Sequence, residues 1–128
     1  MKPLRILVVD DEKVICDACH LVLTEEGNHV EACTSGKSGL SAIRQNVYDV
    51  VLLDMKLPDT DGMEILKIAR KENLEMRFIV MTGYSTLSNA LEACKLGAAN
   101  YLAKPFTDDE LISSIEATCL QKRQGKPI

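Results

Sequence analysis

Residues 49–54 read DVVLLD, four apolar side chains in succession between two acids. A strand that exposes one face to water alternates apolar with polar residues, whereas a strand covered on both faces has no position that must meet solvent. The unbroken run therefore predicts an interior strand of a parallel sheet. The segment after it, MKLPDTDG (55–62), breaks the run, with Pro58 and the Asp61-Gly62 pair as turn signals.

The same signature recurs on either side. LRILVV (4–9) is a short apolar run ended by Asp10, Asp11 and Glu12, and RFIVMT (77–82) is another. HVEAC (29–33) and NYLA (100–103) read as shorter strands, the second closed by Lys104-Pro105. Between the strands the apolar period becomes helical. From Glu12 to Glu26 apolar residues fall at Val14, Ile15, Ala18, Cys19, Leu21, Val22 and Leu23, with Gly27 placed as a C-cap. Further helices are predicted from the TSG turn to about Gln45, from about Gly62 to Glu72, up to a stop at Gly97, and from the capping box Thr107-Asp-Asp-Glu110 to about Lys122. Five strands alternating with five helices predict an α/β fold, a doubly wound five-stranded parallel sheet with helices on both faces. The tail QKRQGKPI loses the apolar period, so residues 1–122 are expected to form one domain and 123–128 to begin a linker.

Composition narrows the function classes. At 128 residues the chain is one domain's worth, with 46% hydrophobic and 27% charged residues and a net charge of −4. An acidic chain lacks the basic stripe that nucleic acid requires, so no direct nucleic-acid contact is expected. The apolar stretch near the start, Ile6 to Val9, is too short for a secretory signal or a membrane span, so the chain is expected to be cytoplasmic, with no membrane partner. Five cysteines, an odd number, are then expected as reduced thiols that pack as small hydrophobes. Two of them lie in CDACH (16–20), the Cys-x-x-Cys-His pattern of haem attachment. That pattern falls in mid-helix of a chain without an export signal, and no second pair is present for zinc. Core packing is the expected role.

In an open parallel sheet, ligands bind beyond the carboxyl ends of the strands. Those ends carry Asp10 and Asp11, Asp54, Thr82-Gly83 and Lys104-Pro105. Two unit charges 4 Å apart repel by about 4 kcal/mol at an effective dielectric of 20, so three carboxylates sharing a cleft call for a cation or a proton. Oxygen-only ligands suit Mg²⁺ completed by water and phosphate. Asp carboxylates can attack phosphorus to give an acyl phosphate, with Lys104 and the Thr82 hydroxyl available to the transferred group. Asp59 and Asp61 do not complete a calcium loop, because Leu57 and Ile68 stand where further acids are required. They are read as turn residues.

LVVDDE (7–12), VVLLDMKLPDTDG (50–62), IVMTGYS (79–85) and GAANYLAKPF (97–106), in this order and spacing, resemble the signature segments of the response-regulator receiver domain over roughly residues 4–122. The resemblance implies a flavodoxin-like strand order 2-1-3-4-5. It implies Asp54 as phosphoryl acceptor, Asp10, Asp11, Asp54 and the Lys56 backbone carbonyl as Mg²⁺ ligands, and Lys104 as phosphate partner. Thr82 and Tyr101 would be the switch pair, Lys56 and Tyr84 would tune dephosphorylation, and the Lys104-Pro105 bond would be cis. A sensor histidine kinase would be the donor. An effector domain in cis or in trans, or homodimerisation, would read the face made by helix 4, strand 5 and helix 5, with transcription as the implied output; no turnover enzyme is implied. Residues 81–106 are most similar to receivers of sigma-54 activators.

Three other readings compete for the same residues. An aspartyl-phosphate phosphatase of the haloacid-dehalogenase type wants a second Asp two after the nucleophile, where this chain has Lys56 or Glu12. A flavodoxin-like FMN carrier wants a phosphate loop after strand one, where this chain has two acids. A phosphorylation-independent interaction module on the same fold stays open.

Overall fold

Apolar runs flanked by acids and glycines become strands here because each can be buried on both sides. In the computed structural model, which describes residues 3–83 and 87–124 (side chains at 87, 88 and 121–124 excepted), the elements alternate from end to end. They are β1 (Arg5–Val9), α1 (Lys13–Glu25), β2 (His29–Cys33), α2 (Gly36–Gln45), β3 (Val50–Asp54), α3 (Gly62–Lys71), β4 (Arg77–Thr82), α4 (Leu87–Lys95), β5 (Asn100–Ala103) and α5 (Asp108–Gln124). All neighbouring strands are parallel, in the order β2-β1-β3-β4-β5. The expected α/β doubly wound sheet is thus observed, and α5 runs two residues past the expected boundary at 122.

Every residue of β3 is buried, as its unbroken apolar run requires. The pleat divides its side chains between two cores. Val50 and Leu52 pack with Ile6, Val8, Cys19 and Leu111 beneath α1 and α5. Val51 and Leu53 pack with Leu7, Val9, Ile65 and Phe78 beneath α2, α3 and α4. Burying a Leu or Val in this way contributes roughly 1.5–3 kcal/mol per side chain, so the sheet is a stiff platform for whatever its ends carry.

Helix ends follow the local sequence. Gly27 and Gly97 take φ values of 93° and 97° at the stops of α1 and α4. The capping box before α5 closes both ways: Thr107 N–H donates to Glu110 Oε1 at 2.8 Å, and Glu110 N–H donates to Thr107 Oγ1 at 3.1 Å.

Helix α1 departs from the apolar list that predicted it. Val14 and Leu21 are 77% and 60% exposed, while Cys16 and Cys19 turn into the core. Burial pushes the Cys19 thiol up to about 12, and a thiol that does not ionise is a poor nucleophile. The two thiols of CDACH are therefore core packing, as expected.

Candidate functional site

The parallel register brings the strand ends to one edge. Leu53 of β3 lies beside Val9 of β1 and Val80 of β4, and Thr82 of β4 lies beside Ala103 of β5. One residue further along each strand stand Asp54, Asp10 and Lys104. Asp54 and Lys104 border an open cleft of about 570 Å³ with Asp11, Lys56 and Thr82, which Glu12, Ile15, Gly83 and Pro105 complete, and Asp10 lies beneath it against Lys104.

Asp10 is fully buried, Asp54 and Thr82 are buried at the ends of their strands, and Asp11 is exposed. Carboxylate oxygens of Asp10, Asp11 and Asp54 all lie within 4.8 Å of one another. Lys104 Nζ reaches Asp10 Oδ2 at 2.7 Å, Glu12 Oε1 at 3.2 Å and Asp54 Oδ2 at 3.3 Å. The other oxygens are held by backbone: Glu12 N–H donates to Asp10 Oδ1 at 2.9 Å and Lys56 N–H to Asp54 Oδ1 at 3.2 Å. Thus Asp10, not Asp11, meets an amide at the entry to α1. The Lys104-Pro105 peptide is cis.

These charges are only partly balanced. Burial, then repulsion from Asp10, holds the Asp54 carboxyl above its ordinary value, against the opposing pull of the Lys56 amide and Lys104. Burial alone would lower Lys104, yet the Asp10 carboxylate, with Asp54 and Glu12, raises it above its ordinary value. One ammonium thus meets three acids, with the shortest contact, 2.7 Å, to the buried Asp10 Oδ2. A buried carboxylate within reach of two others, with no nitrogen or sulfur ligand among them, can hold a hard cation such as Mg²⁺.

Tyr101 lies on β5, half-buried, and packs against the α2–α3–α4 core. Tyr84, expected to tune dephosphorylation, lies outside the described residues. Two contacts of the site are absent from any sequence reading. Glu12 joins the Lys104 cluster from the start of α1. Asp59 and Asp61, read as turn residues, are caps: Asp61 accepts from Met63 N–H at 3.0 Å on α3, and Asp59 accepts from Gly36 N–H at 2.8 Å and Lys37 N–H at 2.9 Å on α2. Those two amides hold the Asp59 carboxyl below its ordinary value. A Ser before an apolar-periodic helix announces its own cap, but a cap supplied from 23 residues away announces nothing.

Comparison with known proteins shows the family and the fold. The family model described as the response regulator receiver domain matches residues 6–116. The chain is 38% identical over 125 residues to the transcriptional regulatory protein DltR of Streptococcus agalactiae, covering 98% of this chain and 54% of that protein. It is 37% identical over 111 residues to the transcriptional regulatory protein ZraR of Escherichia coli, covering 87% of this chain and 25% of that protein. The crystal structure of a CheY-like response regulator receiver domain protein from Methanospirillum hungatei superposes with a TM-score of 0.87 at 35% identity, covering 96% of this chain and 99% of that one. The chain thus spans about half or less of the length of these two curated relatives. Near-equal identity to relatives whose remaining parts differ so much in length does not single out the sigma-54 branch. Among the described residues no helix is long and apolar enough to cross a membrane.

Proposed function

The chain belongs to the response regulator receiver domain family, and from that premise we propose that it accepts a phosphoryl group on Asp54 and uses it to switch its helix 4–strand 5–helix 5 face. The observation that carries this reading is the Asp10–Asp54–Lys104 cluster, in which one ammonium meets both the buried acceptor carboxylate, at 3.3 Å, and a second buried acid, at 2.7 Å.

The donor is a phosphohistidine of a sensor kinase. An Asp54 carboxylate oxygen forms a bond to phosphorus as the phosphorus–nitrogen bond of the donor breaks, and the histidine leaves with the electron pair. Lys56 N–H fixes one Asp54 oxygen and so orients the other. Lys104 meets the charge of the transferred group, and Thr82 closes on it from the end of β4. Asp10, Asp11, Asp54 and the Lys56 carbonyl would hold Mg²⁺, which when bound neutralises the phosphoryl oxygens. The side chains at 56 and 84 set how water reaches the acyl phosphate.

Phosphorylation biases a two-state equilibrium in which Thr82 and Tyr101 move together. The changed face serves homodimerisation or an effector domain, in cis or in trans, and the output is transcriptional control, with the sigma-54 activators as one branch suggested by residues 81–106. The expected domain boundary at 122 moves to the end of α5 at Gln124. Beyond its own phosphorylation and dephosphorylation it turns over no substrate.

Intact mass before and after Mg²⁺ with acetyl phosphate tests the reading. One phosphoryl group gained, lost on standing and absent in Asp54→Asn, is the expected result. An equal gain in Asp54→Asn would overturn the site. No gain from either acetyl phosphate or a phosphorylated kinase would favour an interaction module.

A further inference from the structure

The β3–α3 loop is a small closed unit. Lys56 and Asp61 pair in an antiparallel bridge, Leu57 N–H donates to Thr60 O at 3.2 Å, and Gly62 N–H donates back to Met55 O at 2.8 Å. Its tip is fastened to a different element. Asp59 spends one carboxylate oxygen on Gly36 N–H at 2.8 Å and the other on Lys37 N–H at 2.9 Å. Both amides belong to the first turn of α2, where no carbonyl within the helix can reach them.

This grip is not an ordinary cap. Helix α2 has its own, Ser35, whose Oγ accepts from Ser38 N–H at 3.1 Å. Asp59 takes the two amides that Ser35 leaves. A second contact presses the same surfaces together: a Cβ on Gly36 would stand 2.1 Å from Thr60 Cγ2 and 3.2 Å from Asp59 Oδ1. Only a glycine lets the loop lie this close to α2. At its other end the loop meets the acceptor, where Lys56 N–H donates to Asp54 Oδ1 at 3.2 Å.

We propose that Asp59 is a positioning residue: by gripping the first turn of α2 it fixes the β3–α3 loop, and so holds the Lys56 backbone in place for Asp54 and its divalent cation. The proposal rests on the receiver reading above. It makes α2, which contributes no side chain to the cleft, the anchor of the cation site. By linkage, whatever the grip does for Mg²⁺ binding, Mg²⁺ binding does for the grip.

The test is a Mg²⁺ titration by calorimetry of the whole chain and three variants, with melting temperature recorded beside each. Asp59→Ala is expected to weaken Mg²⁺ binding by about tenfold, the scale of losses when the support of a metal ligand is removed. Asp59→Asn, which keeps one acceptor oxygen, is expected to fall between. Gly36→Ala pushes the Thr60 methyl away without changing any charge and is expected to weaken Mg²⁺ as well. In the unsubstituted chain, hydrogen exchange at the Gly36 and Lys37 amides should slow when Mg²⁺ is added.

A purely structural role would lower the melting temperature of Asp59→Ala and leave its Mg²⁺ midpoint unmoved, which would overturn the proposal. Weakening in Asp59→Ala with a normal Gly36→Ala would indicate a charge acting at a distance, and would overturn it equally. If Asp59→Ala does not fold, Asp59→Asn and Gly36→Ala decide by the same criterion. An unsubstituted chain that takes up neither Mg²⁺ nor a phosphoryl group would remove the receiver reading and this proposal together, whereas normal binding by every variant removes the proposal alone.

Discussion

The two edges of the sheet are built to opposite specifications. At the amino edge, beyond the starts of β1 and β3, charges and dipoles are matched. Tyr48 O–H donates to Glu31 Oε1 at 2.7 Å, the Arg5 guanidinium lies 5.3 Å from the Tyr48 ring centre and 3.7 Å from Glu31, and Asp49 accepts from Arg5 N–H at 2.8 Å. Burial, and then that hydrogen bond, push the Tyr48 hydroxyl up to about 12, so it stays a donor throughout the physiological range. At the carboxyl edge three acids, Asp10, Glu12 and Asp54, share the Lys104 ammonium, and the Asp11 carboxylate lies close beside two of them. One edge is satisfied and stabilises the fold. The other holds unspent electrostatic demand, and a group that brings the missing positive charge, or uses a carboxylate, finds its chemistry there.

The sharpest break of this contrast is Asp54→Asn, expected to abolish phosphoryl uptake by intact mass while raising thermal stability. The sign follows from the raised folded-state value of Asp54. A carboxyl raised above its unfolded value gives its stability at low pH and loses it as pH rises through the folded value. Without divalent cation, Asp54→Asn should therefore melt a few degrees higher than the unsubstituted chain at pH 7, by ~2–5 °C. The gap should close toward pH 4. An Asn variant that melts lower at pH 7 would show the edge to be balanced after all.

Lys104→Ala removes the ammonium that Asp10, Glu12 and Asp54 share and should act in the opposite direction, costing about 3–5 kcal/mol in denaturant titrations without divalent cation. Added Mg²⁺ should restore much of that loss. Phosphoryl uptake should survive while the switch fails, read as unchanged hydrogen exchange across α4 and β5 after acetyl phosphate. The Lys104 contribution is present below the ordinary lysine value and lost only as pH rises through its raised one, so it is intact at pH 7.

Tyr48→Phe probes the satisfied edge. It should cost about 1 kcal/mol of stability, the worth of one hydrogen bond, and leave phosphoryl uptake and Mg²⁺ affinity alone. A change in either would mean the two edges communicate. The smallest effect is expected at Arg44, whose two-pronged pair with Glu72 lies on the surface between α2 and α3. Arg44→Gln should change stability by less than about 1 kcal/mol, and less again at high salt.

Most of this was legible in the sequence because it is written in local pattern. A buried parallel strand is a run, a helix is a period, and the positions beyond strand ends are fixed by counting. Asp10, Asp54, Thr82 and Lys104 therefore all fall at or just past strand ends by counting alone, and the sheet brings those ends to one edge. Helix α1 shows the limit. Its apolar residues lie on more than one side, and periodicity alone did not say that Cys16 faces inward and Val14 and Leu21 face water. Asp59 shows another. Its partners on α2 depend on how the loop lies across a neighbouring element, which is tertiary geometry with no trace in the loop's own residues. Glu12 escaped notice for the same reason, since its lysine comes from the far end of the sheet.

The origin of that lysine has a consequence for how the molecule is made. Lys104 follows the last strand to be added, 50 residues after Asp54. As the chain leaves the ribosome, the acids of β1 and β3 are present while the ammonium that offsets them is still to be synthesised. Until β5 is made, the pairing of β1 with β3 sets Asp10 and Asp54 side by side without the Lys104 ammonium that later joins them. The charge balance of this edge is thus completed only after the strands that carry its acids have already been made.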